Sequence, residues 1–396
     1  LIIKIGLGGK IAKGQGFDYG RLLQNIKKTF DELENRKDEL IKNSHITEGD
    51  FLKLKTNSTD DIKNVMKRLQ KLGIEKDFLE QKDEKNVIAA EYIVENYKFK
   101  RKLSNNEKGA LIYGILDRSF FNKNKKLYLA TLVQTLEKSG LDNQTIYGGI
   151  IKLGINGFII DKMGYAYNEL IRNMNDCCTS IEKYKSEFKE KSIVDDANIL
   201  KSCSKFLNNK KQKKLHDEMC ALGLDEKFVK SKKIENIYIA NQIVNDYNFN
   251  RKLSNDDRRG LLYEILNNKL LETKSSYISN VIQDMEYIGI DKQVIYGMIM
   301  KLAIYDKIIQ KEGISYSRVL GNANARLDIS EYKNELEKNS IITAGDILRA
   351  SAQSIDEKQR NEIKRRVQEI GIDESFLENY DIKNIYVAEQ IVERYV

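Results

Sequence analysis

Apolar residues recur along most of this chain at the spacing of an amphipathic helix. The clearest stripe lies between residues 19 and 42, where apolar side chains recur three, four or seven positions apart and Lys, Glu and Asp fill the positions between them. Its members are Leu22, Leu23, Ile26, Phe30, Leu33 and Leu40. No segment shows the apolar and polar alternation that is typical of a strand. The sequence therefore predicts an all-α protein.

The pattern occurs more than once, with a period of 148–150 residues. The clearest matches are Lys4-Ile5-Gly6 with Lys152-Leu153-Gly154 and Lys301-Leu302-Ala303, and Arg101-Lys102-Leu103-Ser104-Asn105 with Arg251-Lys252-Leu253-Ser254-Asn255. Aligning them gives the tail of a preceding repeat (1–16), two helical repeats (17–164 and 165–313) and an incomplete repeat (314–396). Helical repeats bury their apolar faces by stacking on each other. We therefore predict an elongated rod or superhelix, cut from a larger protein whose native termini are missing.

Each repeat contains glycines that are followed by Ile or Leu and then by an acidic residue. A glycine just past a helix adopts the left-handed conformation that ends it, and the acid then caps the next helix. These tripeptides predict tight corners between helices. The corner glycines are Gly73, Gly140, Gly223, Gly289 and Gly371.

Polar residues before apolar stripes predict where helices begin. Ser104-Asn105 and Ser254-Asn255 each precede acidic residues, and a serine or asparagine in that place fits an N-cap with a charged first turn. Three matched asparagines, Asn86, Asn236 and Asn384, are also expected to be N-caps.

Composition fits a folded helical protein. Hydrophobic residues make up 41% of the 396 positions, and proline, which breaks helix interiors, is absent. No run of 18 apolar residues occurs, so no transmembrane segment is expected. The formal net charge of +8 is small for this length and permits an acidic partner without requiring one.

The four cysteines lie in one repeat. A disulfide framework would recur with the period, so we expect free thiols in a reducing intracellular compartment. A zinc site that combined them with His216 would need a spacing unlike the compact patterns of zinc ligands, and we expect no metal or other cofactor. The cysteines are Cys177, Cys178, Cys203 and Cys220.

The best recurring basic feature is the Arg-Lys pair at Arg101 and Lys102 and again at Arg251 and Lys252. One interpretation is a regularly spaced contact for an anionic ligand or a partner. The other, which we favour, is a solvated loop whose arginine stacks on Phe or Tyr or caps a helix, because surface charge alone is weak support for a site.

A helix-turn-helix is the alternative interpretation of residues 128–160 and 277–309. In DNA-binding versions the second helix enters the major groove. The candidate recognition helix offers Asn143, Gln144, Thr145 and Tyr147, with almost no Arg or Lys, whereas phosphate contacts supply most of the affinity for nucleic acid. Nucleic-acid binding is therefore only weakly supported.

Catalysis has little support in the sequence. The two histidines, His45 and His216, occupy different positions of the repeat, and no phosphate-binding loop, nucleophile–base pair or metal-ligand cluster recurs. We therefore expect a non-catalytic segment of a tandem-repeat protein, with a structural, scaffold or protein-interaction role and a protein partner or self-assembly.

Overall fold

The computed structural model describes residues 2–8, 37–57, 62–121, 128–157, 185–268, 277–287, 289–305 and 333–395. These residues form helices joined by turns and short loops, and no strand occurs among them, so the all-α prediction is confirmed. None of the helices in these ranges is long and apolar enough to cross a membrane. The predicted repeat boundaries at 16/17, 164/165 and 313/314 lie outside the described residues, as does most of the stripe at 19–42.

The chain divides into two compact units, Leu1–Phe206 and Leu207–Val396. The helices of the first unit are α1 (Ile2–Gly8), α2 (Lys37–Ser44), α3 (Glu48–Asn57), α4 (Ile62–Lys71), α5 (Lys76–Glu80), α6 (Glu84–Asn96), α7 (Asn105–Leu116), α8 (Leu129–Lys138), α9 (Asn143–Asn156) and α10 (Asp196–Lys205). A 3-10 turn covers Ser119–Phe121, and residues 185–191 are also helical.

The core of the first unit forms around α7, which packs against α6, α9 and α10. Helix α3 packs against α6 and α8, and α4 packs against α6. Burial of a Leu, Ile or Val side chain contributes about 1.5–3 kcal/mol, so these contacts hold the unit together. Fully buried members of this core include Leu52, Val87, Ile93, Leu111, Ile112, Ile115, Ile150 and Leu153.

The described helices of the second unit are α11 (Asn209–Ala221), α12 (Glu226–Ser231), α13 (Ile234–Asp246), α14 (Asn255–Asn267), α15 (Tyr277–Tyr287), α16 (Lys292–Tyr305), α17 (Lys333–Asn339), α18 (Ala344–Gln353), α19 (Glu357–Glu369), α20 (Glu374–Glu378) and α21 (Ile382–Tyr395). Helix α14 packs against α13, α16 and α18, and α21 packs against α18 and α19.

The corner glycines lie where helices end, and all five have a φ between 74° and 92°, the left-handed region that glycine tolerates. The acid two positions later begins the next helix. The carboxylates of Asp142 and Asp225 accept the backbone N–H groups of Thr145 and Phe228. Glu75 also stands at an N-cap position, but its side chain makes no capping hydrogen bond.

The prediction that Asn86, Asn236 and Asn384 are N-caps is wrong. Their helices begin two residues earlier, at Glu84, Ile234 and Ile382. Asn86 instead lies in the first turn of α6, where it is buried. Its side chain donates to the carbonyl of Phe121 at 3.1 Å and accepts the backbone N–H of Leu129 at 2.8 Å. The asparagine therefore ties together chain segments rather than starting a helix.

Candidate functional site

The basic loops join α6 to α7 and α13 to α14. Tyr97 and Tyr247 are the C-caps that end the first helix of each pair. Ser104 and Ser254 are the N-caps that begin the second, each in a capping box with the acid three residues later. The predicted caps are confirmed with serine, and not asparagine, as the capping residue, and they fix the place of the Arg-Lys pair just before the helix.

The guanidinium of Arg101 is committed to contacts within the protein. It donates to both carboxylate oxygens of Glu107 (2.7 and 3.1 Å) and through Nε to Asp196 (2.8 Å). The hydrogen bonds to Glu107 raise the pKa of Arg101 most, and Asp196 adds to the effect. Burial tends to raise the pKa of Glu107, but the hydrogen bonds from Arg101 and Ser104 outweigh it and lower that pKa. Two acids thus neutralise the charge that an anionic ligand would need.

Arg251 lacks a counterpart of Asp196, the second acid that pairs with Arg101. Its Nη1 donates to Asp257 at 2.7 Å, but Ala344 stands at the position that corresponds to Asp196. As a result, Nε and Nη2 of Arg251 are buried without a hydrogen-bond partner among the described residues. Lys102 and Lys252 are exposed, and their predicted contact with a ligand or partner stays a prediction.

A second recurring arrangement, which we call the tyrosine junction, joins the end of α6 or α13 to the segment before α10 or α18. The hydroxyl of Tyr97 accepts the backbone N–H of Val194 at 3.0 Å, and that of Tyr247 accepts the N–H of Ile342 at 3.1 Å. Burial raises the pKa of both tyrosines, which keeps the hydroxyls neutral. Each junction bridges two predicted repeats.

Two glycines, Gly148 and Gly297, also belong to the tyrosine junctions, and the sequence did not predict their role. A Cβ at Gly148 would collide with the carbonyl oxygen of Ser192, and one at Gly297 would collide with that of Ser340. Each glycine therefore lets a helix approach a neighbouring backbone closely. The only available signal was the recurrence of Tyr-Gly at 147–148 and 296–297.

A lysine four residues before the last residue of α1, α9 or α16 forms an ion pair with an acid in the next predicted repeat. These side chains, which we call the junction lysines, are only 11% to 19% exposed. The pairs are Lys4 with Asp50, Lys152 with Asp195 (3.6 Å) and Lys301 with Asp346 (2.7 Å).

The acid that pairs with a junction lysine changes position between repeats. In α3 the N-cap is Thr47 and the acid is Asp50, three residues on. In α10 the order is reversed, because the N-cap is Asp195 and the residue three positions on is Asn198. Both arrangements complete the reciprocal cap, and both leave one carboxylate beside the lysine. A carboxylate beside the lysine therefore recurs, although the position that supplies it differs between repeats.

The helix-turn-helix elements are part of the core. All eleven residues from Thr145 to Ile155 in α9 are at most about 9% exposed, and most of α16 from Ile295 to Ile304 is buried in the same way. The Gln144 side chain accepts the N–H of Lys98 and donates to the carbonyl of Asn96. Neither helix offers a free face for a DNA groove over these residues, and the last residues of the two predicted elements, 158–160 and 306–309, lie outside the described residues.

The described ranges contain no group of three His, Cys, Asp or Glu side chains that is able to hold a metal ion. Cys203 is buried and Cys220 is partly buried, and neither forms a disulfide bond with a described residue. Burial raises the pKa of Cys220, which disfavours the thiolate that metals and electrophiles need. Cys177 and Cys178 lie outside the described residues.

No protein-family model matches the sequence, and no curated protein or solved structure is significantly similar to it. Any function assigned to the chain must therefore be argued from its own residues.

Proposed function

We propose that this chain is a non-catalytic segment of a tandem-repeat protein whose helical units stack, and that its role is structural, as a scaffold or an interaction surface. The mechanism is geometric: repeated junctions hold successive units in one arrangement and so space the surfaces that bind partners or other copies of the protein.

The observation that carries the proposal is that each junction lysine has an acidic partner, although the position of that acid in the capping box differs between repeats. Asp50, Asp195 and Asp346 do not all share one position of the capping box, yet each forms an ion pair with the lysine of the preceding predicted repeat. A mostly buried charge is costly unless it is paired. The mostly buried lysine thus requires a carboxylate partner where two predicted repeats meet.

The tyrosine junctions support the same proposal. They recur with hydrogen bonds of 3.0 and 3.1 Å and with a glycine pressed against a carbonyl in both places. In contrast, the best candidate for a ligand contact, Arg101, is neutralised by two acids within the protein. The recurring polar residues therefore serve contacts between repeats.

Small-angle X-ray scattering tests the proposal. A compact protein of 396 residues has a radius of gyration of about 21 Å. We expect a clearly larger radius and a distance distribution with a long tail. A symmetric distribution with a radius near the compact value would refute stacking into an elongated scaffold.

A further inference from the structure

The net positive charge of the chain is concentrated on one helix of the repeat. Helices α4, α11 and α19, which we call the basic helices, occupy matching positions, because a corner glycine follows each of them two residues later. Together they contain thirteen Lys and Arg but only five Asp and Glu. This excess of eight equals the net charge of the whole chain, so the rest of the sequence is electrically balanced.

On α4 the charge forms a stripe. Lys63, Lys67 and Lys71 are spaced four residues apart, so they lie on one face of the helix, and all three are exposed. The helix contains no acidic residue, and none of the three lysines forms an ion pair with a described residue. The opposite face, which includes Val65 and Leu69, is buried in the core. The lysine stripe therefore points to solvent.

On α11 the charge opposes the helix dipole. Four lysines lie within residues 210–214, at the N-terminal end, whereas the two acids of the helix lie towards its C-terminal end. A helix dipole favours the reverse arrangement. Lys214 forms an ion pair with Glu218 at 3.6 Å. Lys210 and Lys213 are exposed and form no ion pair with a described residue, so their charge gives the helix no support.

Helix α19 adds a third basic surface. Lys358 and Arg360 are exposed in its first turn, and neither forms an ion pair with a described residue. The side chain of Gln359 donates to the carbonyl oxygen of Gly223 at 3.3 Å, so this turn lies beside the end of α11. The second unit therefore brings two basic helices together.

Folding does not explain these charges. Like charges four residues apart on a helix destabilise it, and each basic helix contains such a pair. The pairs are Lys63 with Lys67, Lys210 with Lys214, and Arg360 with Lys364. Arg101 differs, because two acids of the protein hold its guanidinium. Helix α11 lies in the middle of the chain, so the exposure of its lysines has no connection with either end of the sequence.

Two kinds of anionic partner fit the basic helices poorly. Protein interfaces are enriched in aromatic residues, Met and Arg and depleted in Lys, whereas the basic helices contain no Phe, Tyr or Trp and many lysines. Helices that bind membranes bury an apolar face in the lipid. The apolar residues of the basic helices, such as Leu69, Met219 and Val367, are instead buried in the protein.

The positive charge recurs although its exact positions do not. In the repeat alignment Lys67 matches Asp217 and Arg365, and Lys63 matches Lys213 and Asn361. A partner that is read by particular side chains needs them at fixed positions. The phosphates of a nucleic-acid duplex form a dense and regular array of charge, and lysine contacts with them carry no sequence information. Such a partner requires only that the helix surface is basic.

We propose that the exposed faces of the basic helices bind the phosphate backbone of double-stranded nucleic acid, without regard to its sequence. The residues involved differ from those of the helix-turn-helix elements, whose second helices are buried. The proposal goes beyond the scaffold role and does not depend on the stacking of repeats.

Fluorescence anisotropy of a labelled DNA duplex of about 20 base pairs, titrated with the full chain, tests the proposal. At about 50 mM salt we expect a dissociation constant in the micromolar range, equal for AT-rich and GC-rich duplexes. The logarithm of the association constant should fall linearly with the logarithm of the salt concentration. Absence of binding at this salt concentration, or a clear preference for one sequence, would overturn the proposal.

A variant of the full chain locates the contact. It carries the substitutions Lys63→Gln, Lys67→Gln, Lys71→Gln, Lys210→Gln and Lys213→Gln. We expect at least about 100-fold weaker binding, and a salt slope that is smaller by about one for each lysine that contacts a phosphate. The melting temperature should stay the same or rise, because like-charge pairs are removed, and circular dichroism measures it.

The matched control also removes five positive charges, at exposed lysines outside the basic helices. Its substitutions are Lys98→Gln, Lys100→Gln, Lys102→Gln, Lys227→Gln and Lys252→Gln. The control should bind the duplex with a less than about threefold loss. An equal loss in both variants would overturn the proposal, as would tighter binding of polyglutamate or of vesicles containing phosphatidylserine than of the duplex. The scattering profile of the free chain is a separate measurement, so the scaffold role is tested independently.

Discussion

Replacement of Gly148 by alanine tests the tyrosine junction directly. Inside a helix this change normally stabilises by about 0.5–1 kcal/mol, because alanine loses less backbone entropy than glycine. Gly148 lies within α9, so propensity alone predicts a gain. The structure predicts the opposite, since a Cβ there would overlap the carbonyl oxygen of Ser192 and lie 2.9 Å from Cε2 of Tyr97.

The magnitude follows from what must move. Neither obstacle is the end of a flexible side chain: one is backbone and the other is a partly buried ring. Overpacking of this kind costs about 1–3 kcal/mol. Displacement of Tyr97 also weakens its hydrogen bond with Val194, which contributes about 0.5–1.5 kcal/mol. After the gain in propensity is subtracted, we expect a net loss of about 1–3 kcal/mol at this junction.

Amide hydrogen exchange is the suitable assay, because a chain with two compact units need not unfold in a single step. Protection of the Val194 amide should fall roughly 10- to 100-fold in Gly148→Ala, since each 1.4 kcal/mol is a factor of about ten. Gly114→Ala is the matched control, because its Cβ would meet neighbours only at 3.4–3.5 Å. Unchanged protection of Val194 in Gly148→Ala would refute the reasoning.

Three further predictions concern charge. Ala344→Asp places an acid beside the buried nitrogens of Arg251 and in the first turn of α18. It should stabilise the second unit by about 0.5–1 kcal/mol and so raise its melting temperature. An unchanged melting temperature would contradict this. Asp195→Thr alone should destabilise α10, because it removes the carboxylate that pairs with Lys152. Adding Asn198→Asp should recover most of the lost stability, because a carboxylate again faces that lysine. Additive effects of the two changes in a double-mutant cycle would count against the coupling. Burial raises the pKa of Glu264 from 4.5 to about 7, so the folded state favours its neutral form and stability should fall as pH rises from about 4.5 to 7; Glu264→Gln should remove that dependence, and melting curves at pH 5 and pH 8 measure it.

Features that depend on neighbouring residues could be predicted from the sequence. The capping box of Ser104 and Glu107 lies within one helical turn, and the left-handed corner at Gly73 needs only a glycine between two helices. Such local chemistry is largely independent of what packs around it.

Contacts between distant segments could not be predicted in this way. Asn86 has the residue type of an N-cap, but its buried side chain is used by Phe121 and Leu129, which lie 35 and 43 residues further along the chain. Likewise, nothing in the sequence near Gly148 indicates that Ser192 passes against it. Propensity is a weak guide where tertiary contacts decide the role of a residue.

The arginine loops show why recurrence alone does not identify a binding site. Arg101 and Arg251 recur together with their capping acids Glu107 and Asp257, and each arginine forms an ion pair with that acid. Their recurrence is therefore explained by folding.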